Sequence, residues 1–150
     1  LNFESHRVNR AELQTMARER LLDADALIAG QRWSFAYYVA GYAVECALKS
    51  CVLARMIDTG WIFQEKAKIA DCLTHDFDEL IHIAGMRDLL NAKLAESTAG
   101  SRTFIKYWEA ARLWKVADRY TSKTEAEAIT LRDAIAVEPD GMMTWIRNYW

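Results

Sequence analysis

RWSFAYYVAGYAVECALKSCVLARM, residues Arg32–Met56, is the most apolar stretch of the chain, yet it carries Glu45 and Lys49 in its middle. Read as one long helix, it has two unlike faces. Ala36, Ala40, Ala43, Ala47 and Cys51 fall in a stripe of small residues, which lets a neighbouring helix approach closely and reads as core. On the other side Tyr38, Tyr42, Glu45 and Lys49 follow at steps of four, three and four, so their side chains share one line along the helix. The two charges and the limited apolar run argue against a bilayer span, so no membrane segment is expected.

The flanking sequence extends this into an all-helical reading. Before the central stretch, Asn9 with Glu12 has the form of a capping box. Leu13, Met16, Ala17, Leu21, Ala24, Leu27 and Ile28 then recur at helical steps, predicting an amphipathic helix over residues 9–29 that Gly30 ends. So short a connection makes the first two helices antiparallel neighbours.

After the central helix, Asp58-Thr59-Gly60 reads as a break. Trp61, Ile62 and Phe63 anchor a more charged segment over 64–72. Thr74-His75-Asp76 is a cap, and a helix over 76–84 carries Phe77, Leu80, Ile81 and Ile83, closed by Gly85. A short pattern over 86–95 precedes the loop-like ESTAGS at 96–101. Ser101 is expected to cap a helix bearing Phe104, Tyr107, Trp108, Ala111, Leu113 and Trp114 and ending near Arg119-Tyr120. A helix over 125–136, a turn at Pro139-Asp140-Gly141 and a last helix over 142–150 complete the chain. No strand alternation, repeat or low-complexity segment is seen.

The composition agrees with one soluble globular domain over 1–150. Of the 150 residues, 52% are hydrophobic and 27% charged, and one Pro with six Gly is too few breakers for a turn-rich β fold. The net charge of −2, from 19 basic and 21 acidic residues, excludes a generally basic nucleic-acid-coating surface and leaves room for a local basic patch. Cys46, Cys51 and Cys72 are an odd number, and the first two point different ways on a helix, so reduced thiols in a cytoplasmic protein are expected. The first residues lack the order of a signal peptide, and the chain begins with Leu1 rather than Met, which leaves open whether the N-terminus is trimmed.

Residues 36–50, AYYVAGYAVECALKS, resemble the second helix of HEPN domains. The resemblance continues at Cys72-Leu73-Thr74-His75-Asp76, Leu80, Ala84-Gly85, Trp114, Arg119-Tyr120 and Gly141-Met142-Met143-Thr144-Trp145-Ile146, covering most of the chain. It implies an up-and-down bundle of four to five main helices with short accessory helices, often dimeric. Some HEPN proteins are metal-independent RNases of toxin–antitoxin or defence systems. Others pair with a nucleotidyltransferase, or bind nucleotides or RNA without cutting. The RNase branch places His four to six residues after Arg. Here the histidines are His6, His75 and His82, and none follows an Arg at that distance. This removes the usual general acid/base and shifts the expectation from cutting to binding, with a divergent RNase as the alternative.

Tyr38, Tyr42, Glu45 and Lys49 are therefore the first candidate site. Lys49 would meet a phosphate, the tyrosines would stack or hydrogen-bond, and Glu45 would orient. The competing reading is a structural network in which Glu45 pairs with Lys49 or with Arg119. His75 is a candidate beside Lys49, because the resemblance places it at a recurrent position. Arg119 and Tyr120 are candidates if the guanidinium reaches the stripe rather than serving its own helix end. Cys72, His75, Glu79 and His82 have too few ligands at zinc spacing, so no metal or other cofactor is expected. Trp108 and Trp114 fit core or interface packing. Trp33, Trp61, Trp145 and Trp150 lie near element ends and could join a dimer surface.

Overall fold

The computed structural model describes residues 8–58 and 73–150, and among these all regular structure is helical. The expected break at 58–60 and the segment over 61–72, with Trp61 and Cys72, lie outside the described residues apart from Asp58, as does His6.

Helix α1 spans Arg10–Ala29 and begins as its sequence dictates. The Asn9 side chain accepts from the Glu12 amide, and the Glu12 carboxylate accepts from the Asn9 amide at 2.8 Å. Gly30 ends it, and Gln31 at φ 58° turns the chain directly into α2, Trp33–Asp58. The small-residue stripe of α2 is buried throughout. Helix α1 packs along α2 in the most extensive helix–helix contact among the described residues.

Helix α3 covers Phe77–Ile83, with Asp76 as N-cap accepting from the Glu79 amide. Its end needs Gly85, whose φ of +71° is the left-handed conformation that favours glycine. The Arg55 guanidinium of α2 lies over that turn and donates to the Ile83 carbonyl at 2.9 Å. Helix α4 is Arg87–Ala95, one residue later than the pattern over 86–95 suggests.

The larger departure is the next helix. It starts earlier than expected, capped by Thr98 rather than Ser101, and α5 runs only over Ala99–Ala111. Ser101 is instead buried and donates to the Glu96 carboxylate at 2.8 Å. The chain leaves the helix at Arg112, and a short 3₁₀ helix, Val116–Tyr120, carries Arg119 and Tyr120. The break lets Trp114 turn inward onto α2, at the expense of Leu113, which is 70% exposed.

Helix α6, Glu125–Ala136, has the Thr124–Glu127 capping box. Its Arg132 clasps Asp25 of α1 with two bonds of 2.6 and 3.2 Å. Helix α7, Met142–Ile146, is shorter than the span expected to 150. Its Ile146 carbonyl accepts from the Cys51 thiol of α2 at 3.8 Å. Helix α2 thus touches α1, α3, α6, α7 and the 3₁₀ segment, and is the axis of an all-α bundle. No helix among the described residues is long and apolar enough to cross a membrane.

Candidate functional site

Glu45 is the polar centre of α2. Its side chain is 3% exposed, and Oε1 accepts from Lys49 Nζ at 2.8 Å and from His75 Nδ1 at 2.9 Å. Helical spacing alone delivers Lys49, one turn on. His75 arrives from the residue before the Asp76 cap, so the cap that starts α3 also fixes where the imidazole enters. A carboxylate this buried is tolerated because two donors meet it, one of them a full cation. Glu45 Oε2 is buried and, among the described residues, has no hydrogen-bond partner.

The bond to Glu45 assigns the proton on neutral His75 to Nδ1 and leaves Nε2 as an acceptor. The imidazole is 47% exposed, whereas Lys49 is 23% exposed. Of the three groups, His75 therefore faces solvent most openly.

An aromatic wall adjoins this cluster. The Trp114 indole lies on Gly41, where any Cβ would come within 2.2 Å of the ring. It stacks on Phe77 of α3 at 5.1 Å and on Tyr38 at 5.8 Å. Tyr38 in turn stacks with Phe35 at 6.0 Å and with Tyr42 at 6.4 Å, the latter pair only 3° from parallel. Burial pushes the Tyr42 phenol above its ordinary pKa, with the neighbouring Cys46 and Glu45 adding to the effect.

Arg119 and Tyr120 complete the face from the 3₁₀ segment. The guanidinium carbon sits 4.8 Å over the Tyr120 ring. The phenols of Tyr120 first, and then of Tyr38, hold the guanidinium pKa above its usual value. Arg119 forms no ion pair with Glu45, whose partners are Lys49 and His75. The Glu45–Arg119 alternative is therefore not formed, although Arg119 reaches the stripe at Tyr38.

The seven residues singled out from the sequence thus form two adjoining groups, Glu45–Lys49–His75 and Tyr38–Tyr42–Arg119–Tyr120. Sequence reasoning missed Trp114 as the piece packed between α2 and α3, and Phe35 as a member of the wall. The signal for Trp114 was Gly41, a glycine inside a helix where alanine would serve the backbone better unless something had to approach.

Among the described residues no three or more His, Cys, Asp or Glu side chains are grouped to hold a metal ion, and Cys72 of the weak zinc pattern lies outside them. Burial pushes the Cys46 and Cys51 thiols up to about 11 and about 12, which makes them poor nucleophiles. The chain matches no protein-family model, no curated protein and no solved structure.

Proposed function

We propose that the chain is a HEPN-like helical module that binds a nucleotide or RNA through the polar and aromatic face of α2, without chemistry of its own. The observation that carries this reading is the meeting of Lys49 and His75 on Glu45 beside the Tyr38–Tyr42 wall, with Arg119 at its edge. Cations that can meet a phosphate and rings that can meet a base then lie along one line. Partnership with a second copy or a cognate nucleotidyltransferase, and a place in a toxin–antitoxin or defence system, rest on the resemblance alone.

One observation favours a second reading, a divergent metal-independent RNase. A carboxylate-oriented imidazole whose second nitrogen has no hydrogen-bond partner among the described residues has the form of a general base for a 2′-hydroxyl. Both readings are tested by incubating RNA with the chain in the absence of metal, beside Lys49→Ala and His75→Ala, and by nucleotide-binding calorimetry on the same three proteins. The binding reading expects no cleavage, heat of binding from the unmodified chain, and its loss in folded Lys49→Ala. Cleavage lost in His75→Ala selects the RNase. Unfolding of Lys49→Ala, with no binding by the unmodified chain, leaves the cluster a structural network.

A further inference from the structure

A groove of about 640 Å³ runs between α1 and α2, on the flank of the aromatic wall. Arg20, Asp23 and Leu27 line it from α1, and Phe35, Tyr38 and Tyr42 from α2. We propose that this groove is the ring-stacking subsite of the module: a nucleobase lies against Phe35, Tyr38 and Tyr42, and its phosphate is held by Arg119. The inference rests on the nucleotide reading above, in which Lys49 also meets a phosphate, and adds a place for the base and a second phosphate contact at Arg119.

Three observations converge on a flat, anionic ligand. The first is ring orientation. Phe35 and Tyr38 are 25° from parallel, and Tyr38 and Tyr42 are 3° from parallel, so the wall presents planes of nearly one direction. Every base has a π face, and aromatic platforms of this kind bind bases without selecting their sequence.

The second is fixation. Trp114 packs against Tyr38 and is itself seated on Gly41 and stacked on Phe77. The platform is thereby ordered before a ligand arrives, and little side-chain entropy is lost on binding. Phe35 remains 55% exposed at the rim, whereas Tyr37, on another face of the same turn, is buried.

The third is charge. Arg20 is matched within α1 by Asp23 at 3.0 Å and Glu19 at 3.6 Å, so the α1 wall is neutralised. Arg119, exposed at Tyr38, has phenols for neighbours and, among the described residues, no carboxylate partner. A guanidinium fork left in that state suits a phosphate. A purely apolar peptide helix would leave it unused. The groove volume lies within the ordinary range for small-ligand clefts.

The test uses the full chain and a fluorescently labelled short oligoadenylate, with an abasic ribose-phosphate strand of equal length and AMP as competitors. The unmodified chain is expected to prefer the base-bearing strand. Phe35→Ala is expected to weaken that binding about tenfold and leave abasic binding unchanged, with Phe35→Tyr restoring it. Arg119→Gln should weaken both strands. Competition by AMP at similar concentration identifies a mononucleotide as occupant, and competition by unlabelled oligoadenylate but not by AMP identifies RNA; either supports the subsite. Binding that ignores the bases, or a folded Phe35→Ala that binds as the unmodified chain does, overturns the groove assignment while the nucleotide reading stands. No binding of AMP or of either strand overturns both.

Discussion

Glu45 gathers two donors on one oxygen while sealed from water, and its removal is felt by both. Glu45→Ala deletes two charge-assisted bonds, but Lys49 and His75 each keep access to solvent and can hydrate. The expected loss is therefore about 2 kcal/mol rather than the larger penalty of stranding a sealed charge, read as a lower urea midpoint with the slope unchanged. Asp76 behaves differently because it titrates. Burial raises its carboxyl, but the Glu79 amide and Lys115 outweigh that and hold it below the usual aspartate range. A depressed carboxyl contributes stability that is fully present above its unfolded value and is lost as pH falls through the folded one. Asp76→Ala is thus expected to cost about 1 kcal/mol at neutral pH, and the gap to the unmodified chain should close in paired denaturation curves as pH falls below the usual aspartate range.

At the scale of elements, the telling case is α2 with Trp114. Alanine for glycine inside a helix ordinarily stabilises it by about 1 kcal/mol. At Gly41 the new Cβ would fall 2.2 Å from the indole, so the sign reverses. Gly41→Ala is expected to destabilise by about 3 kcal/mol and to alter the near-ultraviolet circular dichroism of the displaced tryptophan. A rise in melting temperature would contradict this packing. The same element marks what the sequence reveals and what it hides. The α1 boundaries, the small-residue stripe and the Tyr38–Lys49 line were legible because each depends on helical spacing and local capping. The end of α5 was not, because the apolar period runs on through Leu113 and Trp114 while the backbone does not. A contact with Gly41, far away in the chain, decides that break. Likewise His75 could be named as a candidate, but its bond to Glu45 depends on where the segment before α3 enters, which no local pattern encodes.

Over the whole molecule, an all-α bundle followed from composition and period together, whereas which helices clasp one another did not. The Arg132–Asp25 fork between α6 and α1 joins residues from opposite ends of the chain and leaves no local trace. The two ends of the described chain also meet. Arg10, in the first turn of α1, donates to the Trp150 carbonyl, and the Arg18 guanidinium lies 4.8 Å over the Trp150 ring. The order in which the helices are strung is therefore partly arbitrary. The described stretch from α1 to Trp150 can be treated as a closed loop, and a closed loop can be cut anywhere that the backbone is dispensable. A circular permutant that ties Trp150 back to the segment before α1 and opens at exposed Ser97 keeps every described helix intact. It is expected to give the same helical circular dichroism and a cooperative melt, and failure to fold would show that chain order itself is needed to assemble the bundle.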